Sequence, residues 1–246
     1  MISFRFLKNV GPGAMVTAAF IGPGTVTVCT LAGANFGYTL LWALLFATIA
    51  TVVFQEMASR LGTIAQKGLG ESLTESFRAS AWKWPLGALI IVALFGGNSA
   101  YQAGNVSGAA LGAGAIFGAS DVVFRTAVLS SALLAGIALW RGSYRLLEKM
   151  LIGLVIVMAG AFIGTFIVSE ADWGALFGGL FVPHMPEGSA VTAIALIGTT
   201  VVPYNLFLHA SAAKRRWAGS ADLPAARFDT VVSVGVGGLV SMLIVA

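Results

Sequence analysis

The sequence predicts an all-α protein that crosses a membrane several times, and two observations carry this prediction. First, 58% of the 246 residues are hydrophobic and only 10% are charged, whereas an ordinary soluble domain carries about 25% charged residues. Second, the apolar residues form runs long enough for a helix to cross a bilayer, which takes about 20 residues. We predict seven spans, at 11–33, 39–58, 86–116, 122–140, 150–168, 189–210 and 230–246.

The basic residues predict the orientation of these spans, because Lys and Arg concentrate in cytoplasmic segments. With the N-terminal segment, which carries Arg5 and Lys8, in the cytoplasm, 13 of the 14 basic residues fall on the inner side and only Arg125 falls outside. The loop between spans five and six contains Asp172 and Glu187 but no basic residue. We therefore predict an integral protein of the plasma membrane (the inner membrane in bacteria) with a cytoplasmic N-terminus.

Composition and motifs exclude several other classes. The net charge of +4 needs no nucleic-acid partner, because the basic residues would face an anionic inner leaflet. The sequence holds no HExxH, Walker, CxxC or nucleophile-elbow motif, which are the usual signatures of metalloproteases, nucleotide enzymes, redox proteins and hydrolases. We therefore expect neither an enzyme nor a cofactor, and the partners that remain are the lipid bilayer and a small solute.

Two of the predicted spans are interrupted. Residues 20–26 read FIGPGTV in the middle of span one, and span six contains LIGTTVVPYNLFLHA. Proline removes a backbone donor and clashes with the preceding turn, so Pro23 and Pro203 should each break a helix. Interruptions at corresponding positions of two repeats are typical of inverted-repeat transporters, whose half-helix ends bind a solute at the membrane midplane. The alternative is a pair of packing kinks.

Polar residues on span three form a stripe on one helical face. Asn98, Gln102 and Asn105 follow each other at i, i+4 and i+7, with Tyr101 beside them. A polar stripe in a membrane helix must face protein or water. It either lines a polar permeation path or makes hydrogen bonds to other helices.

Two further residues have both a functional and a structural interpretation. Glu56 is the one acidic residue within an apolar run, and an intramembrane carboxylate is a functional candidate by default. It also stands four residues before Arg60, where an i, i+4 ion pair would form. His209, in the inner half of span six, could titrate near neutral pH or hydrogen-bond to a neighbouring helix.

Three stretches resemble the Nramp family of divalent-metal transporters. These are GPGAMVTAAFIGPGTV, GYTLLWALLFATIATVVFQEMASRLGTIAQKGLGE and VVPYNLFLHAS, which are similar to the family's first, second and sixth helices. The resemblance runs over most of the chain and is strongest in 11–75 and 195–213. It implies a LeuT-like inverted-repeat fold with discontinuous helices one and six. The chain would then hold the first five-helix repeat plus helices six and seven, as one apparently truncated transporter domain over 1–246.

The resemblance also identifies the positions of the metal ligands, but the ligand side chains differ. The family's first-helix Asp-Pro-Gly-Asn motif reads Gly22-Pro23-Gly24-Thr25 here, so the metal-binding Asp and Asn fall on Gly22 and Thr25. In helix six the carbonyl donor falls on Thr199, the metal-binding Met on Val202 and the His on Tyr204.

Neutral oxygen atoms remain as candidate ligands at this site. They are the hydroxyls of Thr25, Thr199, Thr200 and Tyr204, the amide of Asn205, and carbonyls freed around Gly22 and Val201. Without a carboxylate to offset dehydration or a thioether to favour transition metals, these groups suit a hydrated ion, a monovalent ion or a small polar molecule.

The resemblance implies secondary-active transport of a cation, with a divalent metal as the substrate and a proton or another ion as the coupled partner. The altered ligands extend the candidates to Mg²⁺. Two alternatives stay open: transport of a monovalent ion or small organic solute on the same scaffold, and a transport-inactive Nramp-like receptor or sensor. The sequence is compatible with a monomer.

Overall fold

The computed structural model describes residues 11–142 and 144–246, and every described segment is helix, turn or loop, without a strand. Arg5 and Lys8, on which part of the orientation argument rests, lie outside these residues. The described α-helices are α1 (Pro12–Phe20), α2 (Pro23–Phe36), α3 (Leu41–Arg60), α4 (Leu69–Ser76), α5 (Lys83–Phe117), α6 (Asp121–Arg141), α7 (Tyr144–Val168), α8 (Trp173–Phe181), α9 (Ala190–Thr200), α10 (Pro203–Arg216) and α11 (Leu223–Val245).

Six described stretches are long and apolar enough to cross a membrane: Pro23–Ala65, Lys83–Phe117, Asp121–Arg141, Lys149–Val168, Ala190–Arg216 and Ser220–Val245. The first is 43 residues long and contains both α2 and α3. The two helices are joined by a 3₁₀ turn at Gly37–Leu40, which opens on Gly37 at φ 54°, a conformation that favours glycine. The division into seven spans stays a prediction, whereas the all-helical membrane fold is confirmed.

The core lies where α1, α2, α3, α9 and α11 meet. α11 packs along α3 and also touches α1 and α2, while α9 lies against α2 and α3. Phe20, Leu44, Leu196 and Val234 are fully buried there. Small residues allow this close approach: a Cβ added to Gly237 would come within 2.6 Å of the Thr17 side chain.

Helices α5, α6 and α7 form an outer layer with large exposed apolar side chains. Phe95 of α5 is 77% exposed and Trp140 of α6 is 91% exposed. Such surfaces are unusual on soluble proteins but are the expected exterior of a protein in lipid. α5 is one continuous helix of 35 residues, and it reaches the core through α2.

The α4 helix is tied to the main bundle by ion pairs. The Glu71 carboxylate accepts hydrogen bonds from the Gly68 backbone N–H at 2.9 Å and from Lys214 Nζ of α10, also at 2.9 Å. A second pair joins Lys67 and Glu75. The Gly68 hydrogen bond, followed by Lys214, holds the pKa of Glu71 below its usual value. This attachment is therefore fully formed at neutral pH and weakens as the pH falls through that lowered pKa.

Candidate functional site at two helix breaks

The first break separates α1 from α2 at Ile21 and Gly22. Pro23 stands at the first position of α2, where its missing N–H is harmless and its fixed φ suits the helix start. The proline therefore begins the second half-helix instead of bending a continuous one. The interruption predicted within residues 20–26 is confirmed, and it is limited to Ile21 and Gly22 because α2 already begins at Pro23.

Asn105 of α5 binds the start of α2. Its Oδ1 accepts a hydrogen bond from the Gly24 N–H at 3.1 Å. A Cβ added to Gly22 would lie only 2.5 Å from the same oxygen. Gly22 has φ −114° and ψ 177°, an extended conformation open to any residue. Gly22 therefore suits this position because Asn105 occupies the space that a side chain would need. The backbone angles of Gly22 do not themselves require a glycine.

The second break separates α9 from α10 at Val201 and Val202, again with a proline, Pro203, at the first position of the following helix. Thr199 and Thr200 form the last turn of α9, and both hydroxyls donate to the Leu196 carbonyl, at 2.9 and 3.3 Å. The discontinuity predicted for span six is thus confirmed, and its loop is limited to the two valines.

Tyr101 of α5 joins the two breaks. Its Oη donates to the Phe20 carbonyl at 2.5 Å and lies 3.5 Å from the Thr199 carbonyl. The Thr25 hydroxyl also donates to the Phe20 carbonyl, at 2.6 Å, and lies 3.2 Å from Tyr101 Oη. The carbonyl ends of α1 and α9 therefore converge on one phenol group.

A second tyrosine completes the arrangement. Tyr204 of α10 donates its hydroxyl to the Ala19 carbonyl at 2.9 Å. Its ring meets that of Tyr101 edge to face, with centroids 5.9 Å apart and planes at 75°. Tyr101 was not among the predicted site residues. The signal that could have identified it is its place on the polar stripe, between Asn98 and Asn105.

The structure shows contacts around the two breaks for some of the predicted site residues. Thr25 and Asn205 are fully buried, and Val202 is nearly so. Both polar side-chain atoms of Asn205 lack a hydrogen-bond partner among the described residues. Of the stripe on α5, Asn105 reaches the first break, whereas Asn98 is exposed.

A cavity of about 800 Å³ opens beside the first break. Its polar wall contains Gly22, Gln102, Asn105 and Tyr204, and its apolar wall is formed largely by α7 from Leu151 to Phe162. The cavity is wider than a bare ion requires.

The structure places Glu56 and His209 in structural contacts. Glu56 accepts a hydrogen bond from Arg227 of α11 at 2.7 Å and lies 3.8 Å from Arg60. His209 Nδ1 lies 2.9 Å from Gln55 Oε1 of α3. Both side chains thus have the partners that the structural interpretation requires, although the cross-helix partner Arg227 could not be foreseen from sequence spacing.

The electrostatics of the breaks favour a cation without supplying a formal charge. The C-terminal end of a helix carries a partial negative charge on its free carbonyls, and two such ends meet here. Among the described residues, no three His, Cys, Asp or Glu side chains form a group that could hold a metal ion. The side chains that the structure brings to the breaks, among them Thr25, Tyr101 and Tyr204, offer neutral oxygens.

Two broken helices whose carbonyl ends meet inside an all-helical membrane bundle are typical of the inverted-repeat transporter fold. The chain belongs to the Nramp family, since the model of the natural resistance-associated macrophage protein-like family matches residues 13–246. The resemblance noted in the sequence is thereby confirmed.

Relatives and solved structures agree with this assignment. The chain is 30% identical over 250 residues to proteins named divalent metal cation transporter MntH from Yersinia pestis (strain Pestoides F) and Yersinia pseudotuberculosis (serotype O:1b, strain IP 31758), covering 98% of this chain and 58% of each relative. It also matches the crystal structure of the Eremococcus coleocola manganese transporter in complex with an aromatic bis-isothiourea substituted compound, with a TM-score of 0.76 and 24% identity over 100% of this chain and 52% of the other. The chain thus spans about half the length of the proteins it matches.

Proposed function

We propose that the protein transports a divalent cation across the membrane and takes it up at the two helix breaks. The observation that carries this proposal is the convergence of the Phe20 and Thr199 carbonyls on Tyr101 Oη. Two negative helix ends and a set of neutral oxygens at one point suit a small cation. The relatives named divalent metal cation transporter supply the substrate class.

We favour Mg²⁺ over Mn²⁺ or Fe²⁺ as the substrate. Mg²⁺ dehydrates reluctantly and keeps several of its waters, so neutral hydroxyl, amide and carbonyl groups can bind it through those waters. Transition metals gain more from thioether and imidazole ligands. Val202 and Tyr204 stand where the family resemblance places Met and His, so that gain is missing.

A second candidate is a small organic solute on the same scaffold. The observation that favours it is the cavity of about 800 Å³ beside Gly22, whose α7 wall is apolar.

In either case the sequence holds no Walker motif, so uphill movement would draw on an ion gradient, with a proton or another ion as the coupled species. We propose a monomer as the transporting unit.

The test is an uptake panel with the protein reconstituted in proteoliposomes. Mg²⁺ uptake is expected to exceed Mn²⁺ uptake at equal concentration, and Na⁺ and amino acids are expected to stay at the level of empty liposomes. Runs with and without a pH gradient identify the coupling. Uptake of amino acids alone would favour the second candidate, and uptake of no solute would favour a receptor or sensor.

A matched pair of variants links uptake to the break. Asn105→Ala removes the acceptor that binds the Gly24 N–H, so the start of α2 loses a partner and Mg²⁺ uptake is expected to fall about tenfold, the effect of about 1.4 kcal/mol. Asn35→Ala makes the same change at an exposed position near the other end of α2 and should leave uptake unchanged. Equal loss in both variants would argue against a site at the break.

We further propose that the N-terminus is cytoplasmic, in the plasma or bacterial inner membrane. Cys29 is the single cysteine of the sequence and is fully buried, so an impermeant thiol reagent should not reach it and new cysteines can be labelled in the wild-type background. An impermeant thiol reagent added outside is expected to label Glu187→Cys in the loop before α9 and to leave Arg215→Cys unlabelled until the membrane is permeabilised. The reverse pattern would invert the orientation.

A further inference from the structure

The hydroxyls of Tyr101 and Tyr204 donate hydrogen bonds to carbonyl oxygens at the end of α1, beside the first break. The Phe20 carbonyl accepts from both Tyr101 Oη and Thr25 Oγ1, and a carbonyl oxygen has two lone pairs. The adjacent Ala19 carbonyl accepts from Tyr204 Oη. The Ala19 and Phe20 carbonyls at the end of α1 therefore already have hydrogen-bond partners inside the protein.

We propose that Tyr101 and Tyr204 compete with the cation for these carbonyls, so that the cation enters only by displacing their hydroxyl groups. This inference rests on the proposed function and deepens it. The two tyrosines thus determine how tightly any cation binds at the breaks. The other neutral oxygens of the site determine which cation binds best.

The geometry allows the displacement. Tyr204 lines the cavity of about 800 Å³, which leaves space for its ring to turn away from Ala19. The two rings touch edge to face at 5.9 Å, so movement of one frees space for the other. Thr25 can keep its bond to the Phe20 carbonyl through the remaining lone pair while a cation takes the one released by Tyr101.

Competition has a signature that a ligand role lacks. Every ion that displaces the hydroxyls must break the same hydrogen bonds, so the penalty is equal for all of them. Removing a hydroxyl should therefore tighten binding of different cations by one common factor. If the phenol oxygens were ligands, their removal would weaken binding, and by a factor that depends on the ion.

The test is calorimetric titration of the purified protein with Mg²⁺ and with Mn²⁺ at one pH. Tyr101→Phe and Tyr204→Phe keep the rings and their edge-to-face packing but remove the donors. Each is expected to tighten binding of both metals about fivefold, the value of one net hydrogen bond, with an unchanged Mg²⁺-to-Mn²⁺ ratio. Tyr38→Phe, in the turn before α3 and away from both breaks, is the control and should have no effect.

A second measurement uses the wild-type protein, so it does not depend on how the variants fold. Adding Mg²⁺ should produce a tyrosine difference band in the ultraviolet absorbance, because two phenols lose their carbonyl partners. The band should be about halved in either phenylalanine variant.

The outcomes separate the two proposals. Unchanged or weaker binding in both phenylalanine variants, or no difference band in a wild-type protein that binds Mg²⁺, would overturn the competition. Absence of cation binding in every form would reject the proposed function itself. Binding in the phenylalanine variants alone would support the competition and show that the wild-type site is closed to these cations.

Discussion

Replacing Gly22 with aspartate in a chain that already carries Asn105→Ala is expected to tighten Mn²⁺ binding by about 30- to 100-fold relative to the Asn105→Ala chain. The aspartate would place the only formal negative charge at a site whose present donors are neutral. Charge-assisted contacts contribute about 2–3 kcal/mol when partly buried, and each 1.4 kcal/mol is tenfold in affinity.

The structure shows why the second substitution is needed. The Gly22 backbone, at φ −114°, accepts any side chain, but the new Cβ would lie 2.5 Å from Asn105 Oδ1. Asn105 must therefore shift or be shortened. With Asn105 present, part of the gain from the carboxylate is lost to this rearrangement, and Gly22→Asp alone is expected to give about a tenfold increase.

The other family ligands are less easily restored at this site. Thr25 is fully buried and donates to the Phe20 carbonyl at 2.6 Å, so Thr25→Asn would break an existing bond while adding a ligand. Val202 is 6% exposed, and a methionine there would overpack the core by about 1–3 kcal/mol. Gly22 is consequently the position where a single added group has the largest effect.

Calorimetric titration with Mn²⁺ at one pH would measure the gain in the wild type, the two single variants and the double variant. The matched control is Gly22→Asn with Asn105→Ala, which has the same shape without the charge. If this amide variant binds Mn²⁺ as tightly as the aspartate variant, charge is not the missing element. If the wild-type protein binds Mn²⁺ tightly and substitutions at Gly22 and Asn105 leave that binding unchanged, the metal site lies elsewhere.

The breaks and the fold could be predicted from the sequence because their causes are local. A proline cannot continue a helix, and Pro23 and Pro203 lie in apolar stretches long enough to span a membrane. What the sequence could not locate is where each freed backbone group finds its partner. Each partner lies 81 residues away along the chain: Asn105 for the Gly24 N–H and Tyr101 for the Phe20 carbonyl.

Short elements outside the main apolar pattern were also beyond prediction. α8 occupies Trp173–Phe181 in a segment that the sequence marked only as an external loop, since nine residues are too few for a periodic signal. Its start follows from Asp172, whose side chain accepts from the Ala175 N–H at 3.0 Å. An aspartate that binds a backbone N–H three residues later also occurs in many loops. It therefore identifies the start of a helix only once the fold is known.

The chain contains a Gly-Pro-Gly sequence at Gly11–Gly13 as well as the one at Gly22–Gly24. In both, a side chain of another helix accepts hydrogen bonds from the backbone N–H groups. Asp229 of α11 accepts hydrogen bonds from the Gly11 N–H at 3.0 Å and from the Gly13 N–H at 2.7 Å. A Cβ on either glycine would lie within 2.8 Å of an Asp229 oxygen. Each half-helix of span one therefore begins with Gly-Pro-Gly, and another helix binds its free N–H groups: a carboxylate at α1 and an amide at α2.

Removing the carboxylate at α1 is the second large effect that we expect. Asp229 is only 7% exposed, so Asp229→Ala would leave two buried N–H groups without an acceptor and a helix N-terminus without its counter-charge. Loss of a cap costs about 0.5–2 kcal/mol, and an unsatisfied buried donor costs about 1–3 kcal/mol. We expect a total loss of about 2–3 kcal/mol. Because α1 carries the Ala19 and Phe20 carbonyls at its other end, cation binding should weaken as well.

The loss can be measured as the change in thermal midpoint of the detergent-solubilised protein. Asp229→Asn keeps one acceptor without the charge and is expected to lose about half as much stability, which separates the hydrogen bonds from the helix dipole. Asp121→Ala is the control, since Asp121 is almost fully exposed and its Arg125 partner lies 4.0 Å away; such a surface change should stay within about 0.5 kcal/mol. If Asp229→Ala unfolds at the same temperature as this control, the carboxylate does not hold α1 in place.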